Sequence, residues 1–308
     1  MGKGKIMNNN VIHKAVVTGA AGFIGGALVE KLVNMGIDVL AIDINPNTST
    51  KCKTIIMDIA EPSALEKLLD EKTVIFHMAA RASVPGSVKD PEDDFRNTLY
   101  GLFQVLESAR KHRSQLVFPS TASVFDINNV LPVSEKAYVK PSSPYGAAKV
   151  AGEAYCAAYN RSYGLDVRIA RMFSVYGLGM NRFAIHDMVR NIQQNQNDLT
   201  ILGDGHQIRD YLYIDDVIDG LIRIASHGEP GEDYNLASGD QVKIIDLAHK
   251  IAFFMGVPDI EIKTTGESFV GDVPKWFADI TKIKKIGFNP TISLDEGLKK
   301  TIDWLLSN

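Results

Sequence analysis

The chain has 308 residues, 45% of them hydrophobic and 23% charged, with a formal net charge of −4. That length supports a full globular core, and the weak negative charge gives no broad attraction to nucleic acid or to an anionic membrane. Cys52 and Cys156 lack metal-motif spacing, a core of this size needs no disulfide, and no apolar run approaches the ~20 residues that span a bilayer, so a cytoplasmic location is expected.

Residues 1–10 carry lysines but no apolar signal core, and Ile6 stands where a myristoylation signal needs Ser or Thr, so the segment is read as a loose tail. A strand is expected at 13–18 and a helix at 23–35, joined by Gly19-Ala20-Ala21-Gly22-Phe23-Ile24-Gly25. Small residues there let the backbone approach a diphosphate, while the first N–H groups of the helix point at the same charge. The next strand, 37–42, ends in Asp43, where a carboxylate can accept hydrogen bonds from both ribose hydroxyls and would repel a 2′-phosphate, favouring NAD over NADP.

Further strands are expected at 54–57, 73–78, 115–120 and 165–171, alternating with helices at 62–70, 93–112 and 144–162. This alternation implies an α/β fold, a Rossmann-like doubly wound parallel sheet with helices on both faces. After residue 172 the pattern loosens into helices at 183–196, 213–226, 242–255 and 292–306, with short strands near 199–202 and 259–264. The expected organisation is a dinucleotide-binding domain over 11–172, with a return near 205–235, and a smaller C-terminal α/β substrate lobe over 173–308.

Ser143-Pro144-Tyr145-Gly146-Ala147-Ala148-Lys149 places an N-cap and a first-turn proline before Tyr145 and Lys149, which then share a helix face. Bringing a phenol from its usual pKa near 10 to about 7 takes roughly 4 kcal/mol, which a nearby ammonium and a positive nicotinamide ring can supply. Tyr145 is then a general base for a hydroxyl proton. The run Leu116-Val117-Phe118-Pro119-Ser120-Thr121-Ala122-Ser123 reads as a buried strand opening into hydroxyls, with Thr121 placed to bond the reacting oxygen. His77 ends a buried-looking strand and is read as a packed, hydrogen-bonded histidine. No metal site is expected.

On these motifs the chain resembles the extended short-chain dehydrogenase/reductase superfamily, in its sugar-nucleotide epimerase/dehydratase branch closest to UDP-glucose 4-epimerase-like members. The resemblance runs from Thr18–Gly25 through His77-Met78-Ala79-Ala80, Asn97–Gly101, Arg171–Gly177 and Arg209–Asp216. It implies Thr121, Tyr145 and Lys149 as the catalytic set. It implies contacts to NAD from Gly19, Gly22, Phe23, Ile24, Gly25, Asp43, Asp58, Ile59, Ala79, Ala80, Arg81 and Asn97, together with Tyr145 and Lys149. It puts Val84, Thr121, Ser174, Arg209 and Asp272 on a nucleotide-diphosphate sugar, and implies a homodimer through helices 93–112 and 144–162.

Dehydratases resemble one another in a Thr-Asp-Glu run, whereas this chain reads Thr121-Ala122-Ser123, without the carboxylates that elimination needs. The leading expectation is therefore an NAD-dependent nucleotide-sugar 4-epimerase working through a transient 4-keto sugar. The alternatives are a 4-ketoreductase or dehydrogenase, a dehydratase, and a non-catalytic NAD-binding relative. Departures from the family pattern are Phe125-Asp126, Ser174, and Gly266-Glu267-Ser268-Phe269-Val270, which has no cation where UDP-sugar epimerases usually carry an arginine. Arg182, Lys263 and Lys275 are candidates to compensate. Trp276, Phe277 and Phe269 are candidates for the sugar pocket or for core.

Overall fold

The structure, a computed structural model, describes residues 11–46, 52, 54–267 and 273–308; the expected tail at 1–10, Phe269 and Asp272 lie outside them. Seven strands form one sheet in which every pairing is parallel. Six of them are β1 (Lys14–Thr18), β2 (Asp38–Asp43), β3 (Thr54–Ile56), β4 (Thr73–His77), β5 (Gln115–Thr121) and β6 (Val167–Met172). The seventh, Asp233–Leu236, lies beyond β6 at one edge, and β3 forms the other edge. The order along the sheet reverses between β1 and β4, so a crevice opens beyond their carboxyl ends, the usual ligand position in such sheets.

Side chains alternate across each strand and supply two apolar layers. Ala15, Val17, Phe76 and Val117 join the layer that holds Leu28, Val29 and Leu32 of helix Phe23–Asn34 and Val217, Leu221 and Ile224 of helix Ile214–His227. Val16, Ile75, Leu116 and Phe118 join the opposite layer, with Leu102, Leu106 and Ala109 of helix Gly101–His112 and Cys156 and Tyr159 of helix Pro144–Tyr163. Leu102 and Leu106 are completely buried there. Full burial is worth about 1.5–3 kcal/mol for each such side chain, so they serve the core and not an outer face.

Among the differences from expectation, three concern the central sheet and the segments that connect its strands. Only a short 3₁₀ turn, Glu66–Leu68, forms within 62–70, because Ser63 sits at φ 62°, outside helical geometry. The 93–112 helix is composite: Pro91–Asp94, then a π-helical segment Phe95–Tyr100, then Gly101–His112. The seventh strand, Asp233–Leu236, came with no strand expectation of its own, and its preceding helix Ile214–His227 packs against the sheet and helix Phe23–Asn34.

The rest of the C-terminal half builds three small two-stranded sheets: Ser174–Tyr176 with Tyr211–Tyr213, Ile208–Arg209 with Val242–Lys243, and Asp198–Ile201 with Glu261–Thr264. Asp210, fully buried, ties these loops together by accepting from the N–H groups of Ser238, Gly239 and Ala278 and from the Ser238 hydroxyl.

Candidate active site

The glycine turn lies flat against the end of β4. Gly19 has φ 69°, and a Cβ there would stand 2.6 Å from the Ala79 nitrogen. A Cβ on Gly25 would stand 2.1 Å from the Gly19 carbonyl oxygen, so helix Phe23–Asn34 packs directly on the turn. Gly22 is its N-cap residue without a side-chain cap. The N–H groups of Phe23 and Ile24 in the first turn have no carbonyl partner within the helix. Asp43, at the end of β2, accepts from the Ala21 N–H at 3.0 Å and the Asn45 N–H at 2.9 Å. Its carboxylate keeps further lone pairs for a diol. A side-chain-free turn, open amides and a fixed carboxylate beside the crevice fit a dinucleotide.

The other residues expected on NAD are distributed as follows. Ala79 donates its N–H to the Thr18 hydroxyl at 3.3 Å, and Ala80 and Arg81 line a cavity of ≈270 Å³ with Ser83, Asp94 and Arg182. Asp58 accepts from the Ala60 N–H and from Arg96, both contacts at 2.8–2.9 Å, and Ile59 is buried beneath helix Gly101–His112. Arg81 and Asn97 converge on Asp93: the guanidinium pairs with its carboxylate at 2.9 Å, and the amide donates to its carbonyl at 2.8 Å and its carboxylate at 2.7 Å. Thr98 and Asp94 are the buried residues of this stretch.

Helix Pro144–Tyr163 begins as its sequence dictates. The Ser143 hydroxyl accepts from the Gly146 N–H at 3.2 Å, and Pro144 occupies the first turn. Tyr145 and Lys149 therefore lie one turn apart beside the end of β5. Thr121 stands beside the Tyr145 phenol and favours its ionised form, and the Thr121 hydroxyl also donates to the Ser123 hydroxyl at 3.3 Å. Lys149 is buried, donates to the Pro119 carbonyl at 2.8 Å, and lies 4.8 Å from the Phe118 ring centroid and 5.9 Å from that of Tyr145.

The electrostatics of the protein alone oppose ionisation of the phenol. Burial pushes the Tyr145 phenol up to about 12, despite help from Thr121 and Arg182, and the Asp94 carboxylate adds to the rise. Burial also lowers the Lys149 ammonium to about 8, although Asp94, Cys156 and Glu153 oppose it. The protein by itself thus holds the phenol neutral, because burial strips the phenolate of its solvation.

His77 is a packed histidine: its Nδ1 lies 2.9 Å from the Thr18 hydroxyl, and burial with the nearby Lys149 charge takes it down to about 3.

On the substrate side, Val84 opens helix Val84–Lys89 and Ser174 opens a short strand, its N–H bonded to the Asp210 carbonyl at 2.9 Å. Arg209 lies 5.0 Å from the Trp276 ring centroid and donates to the Ile208 carbonyl. Of the candidate compensating cations, Lys263 is engaged with Asp198 and Glu261. Arg182 borders the cavity near Tyr145 and stacks over Phe183 at 4.6 Å. Phe125 packs against Phe173 and beneath Arg171.

Sequence reasoning missed Asp94 and Glu153. Asp94 is concealed in the acidic run Glu92-Asp93-Asp94, which reads as ordinary helix-start charge, and it closes the short Pro91–Asp94 helix as a buried residue. Glu153 follows Lys149 by four residues, and that spacing was the available signal.

Residues 15–237 match the NAD dependent epimerase/dehydratase family. The chain belongs to that family. It is accordingly an NAD-dependent enzyme of the isomerase type. A putative UDP-glucose 4-epimerase of Methanocaldococcus jannaschii is 32% identical over 305 residues, covering 95% of this chain and 98% of that one. The UDP-glucose 4-epimerase of Thermotoga maritima, solved with UDP-glucose, has a TM-score of 0.87 at 30% identity, covering 96% of this chain and 99% of that one. The UDP-glucuronic acid 4-epimerase of Bacillus cereus, solved with UDP-glucuronic acid and NAD, gives 0.87 at 31% identity with the same coverage. Among the described residues of this family member, no helix is long and apolar enough to cross a membrane, and no group of three or more His, Cys, Asp or Glu side chains could hold a metal.

Proposed function

We propose that the protein is a nucleotide-sugar 4-epimerase in which Tyr145, Thr121 and Lys149 are the catalytic residues. One observation carries the choice among family chemistries: the hydroxyl residue beside Tyr145 is followed by Ala122 and Ser123, so the strand end presents no carboxylate pair for dehydration. Bound NAD would take a hydride from the sugar C4 and return it to the opposite face, leaving no net redox change. Tyr145 accepts the C4 hydroxyl proton and gives it back, and Thr121 holds that oxygen and the phenol in one hydrogen-bonded line. Lys149 supplies the positive charge behind them. The glycine turn, Asp43, Asp58, Ile59, Ala79 and Ala80 hold the cofactor. Val84, Ser174 and Arg209, with Asp272, hold the sugar nucleotide.

The names of the relatives make a uridine diphosphate sugar the first substrate to test. Purified protein is incubated with UDP-glucose or UDP-glucuronic acid without added cofactor, and anomeric protons are followed by NMR. The expected result is the 4-epimer, with turnover reduced at least roughly a hundredfold in Tyr145→Phe. A requirement for supplied NADH, or accumulation of a stable keto product, would make the reductase reading correct instead.

The assembly proposed is a homodimer. Tyr100, Phe103, Tyr155, Tyr159 and Tyr163 form a continuous ring-to-ring series across helices Gly101–His112 and Pro144–Tyr163, with centroid separations of 6.4, 6.2, 6.5 and 5.2 Å. Tyr155 and Tyr163 are 45% and 60% exposed, and Phe95, which shares a cleft with Tyr100, is 55% exposed. Such an aromatic face suits a second copy of the chain. Sedimentation of wild type against Tyr155→Glu should show a dimer giving way to monomer, and a monomeric wild type would remove the proposal.

A further inference from the structure

Three consecutive residues at the end of β5 are held by three consecutive turns of helix Pro144–Tyr163. The Pro119 carbonyl accepts from Lys149 at 2.8 Å, the Ser120 hydroxyl donates to Glu153 at 2.5 Å, and Thr121 stands beside the Tyr145 phenol. The middle rung is the only one of the three built on a carboxylate. Glu153 is buried and receives Arg171 of β6 through both carboxylate oxygens, Nε at 2.9 Å and Nη2 at 2.7 Å. The same guanidinium donates to the Glu135 carbonyl at 2.8 Å and pairs with Asp233 of the seventh strand at 2.7 Å. Its face lies over Phe125 at 5.2 Å. Three adjacent strands, the loop that follows β5 and the catalytic helix therefore meet on one bidentate pair.

We infer that Glu153, clamped by Arg171, is a positioning residue: it sets the axial register of the helix against β5 and thereby the meeting of Tyr145 with Thr121. Ser120 and Thr121 are neighbours on one strand, so their side chains leave on opposite sides and cannot be adjusted independently of the backbone. A shift of the helix by a fraction of a turn would stretch all three rungs together. A neutral acceptor could hold Ser120, but only a carboxylate can take the planar fork of Arg171 as well, and buried bidentate pairs of this kind specify orientation strongly. The charge has a second effect. Glu153 and Asp94 face Lys149 from its own helix and from the Pro91–Asp94 helix, with Cys156, Tyr145 and His77 as its other titratable neighbours, and the Glu153 carboxylate helps keep Lys149 protonated.

This inference rests on the proposed epimerase activity, so the test includes a measurement that does not. Glu153→Gln keeps the shape and an acceptor for Ser120 but turns an amide against Arg171. Its kcat should fall about ten- to a hundredfold with KM nearly unchanged, the scale of a small misplacement of reacting groups. The alkaline limb of its pH profile should move to lower pH. Ser120→Ala removes the rung and leaves the ion pair intact. Its kcat should fall several-fold with the alkaline limb in place, which separates register from charge and avoids burying an unpaired guanidinium. Independently of turnover, NMR of ¹³C-labelled lysine, assigned with Lys149→Met, should show Lys149 titrating at lower pH in Glu153→Gln than in wild type.

Wild-type kcat and pH profile in both variants, accompanied only by a lower melting temperature, would make the cluster purely structural and overturn the inference. An unshifted Lys149 titration would overturn its electrostatic part even if the wild type proved to have no epimerase activity, a result that would sink the proposed function separately.

Discussion

Adding oxidised NAD is expected to lower the Tyr145 phenol from about 12, though not all the way to neutrality. Reaching about 7 from about 12 requires roughly 7 kcal/mol at 1.36 kcal/mol per unit, an upper bound because part of the tyrosine surface still meets solvent. A unit positive charge ~4 Å away at an effective dielectric of ~20 contributes about 4 kcal/mol, or about three units. The remainder has to come from Lys149, whose ammonium donates to the Pro119 carbonyl at 2.8 Å and lies 5.9 Å from the Tyr145 ring centroid. The assay is an ultraviolet tyrosinate titration of wild type minus Tyr145→Phe, run without cofactor, with NAD and with NADH. Tyrosinate attributable to Tyr145 should appear only at strongly alkaline pH without cofactor, at clearly lower pH with NAD, and again only at high pH with NADH, whose ring carries no positive charge. Lys149→Met should raise the midpoint with NAD. An identical midpoint with and without NAD, or an unchanged midpoint in Lys149→Met, would refute the electrostatic reasoning.

Gly25→Ala should weaken NAD binding by more than about tenfold and lower stability by about 1–3 kcal/mol, since its Cβ would stand 2.1 Å from the Gly19 carbonyl and must push the turn off the crevice; isothermal titration and urea unfolding measure the two effects. His77 makes the fold acid-sensitive. Its folded pKa of about 3 lies below the usual 6.5, so the unfolded chain takes the proton first, and stability present above about 6.5 is lost as pH falls toward about 3. Urea unfolding should show wild type losing about 1.4 kcal/mol per pH unit below 6.5 relative to His77→Gln, and parallel curves for the two proteins would contradict this.

The Rossmann sheet was legible because its cues are local. Apolar runs of strand length, a glycine turn and an Asp at a strand end are chemical facts about neighbours in the chain, and each fell where expected in β1, β2 and β4. Tyr145 and Lys149 were legible for the same reason, since a capped helix carries residues four apart on one face whatever surrounds it. Asp233–Leu236 was not, because its four residues have a strand's character only once β6 offers an edge to pair with. Nor did local pattern foretell that Ser63 would break the turn at 62–70.

What the amino-acid order determined alone was the spacing of Tyr145 and Lys149 along one helix and the place of Thr121 at a strand end. Tertiary structure decided which charges those groups face. It set the Lys149 ammonium on a strand carbonyl, buried Asp94 at the end of the Pro91–Asp94 helix, and clamped Glu153 with an arginine from another strand. Ionisation depends on solvation and on distances between residues remote in sequence, and those quantities exist only after the chain has packed.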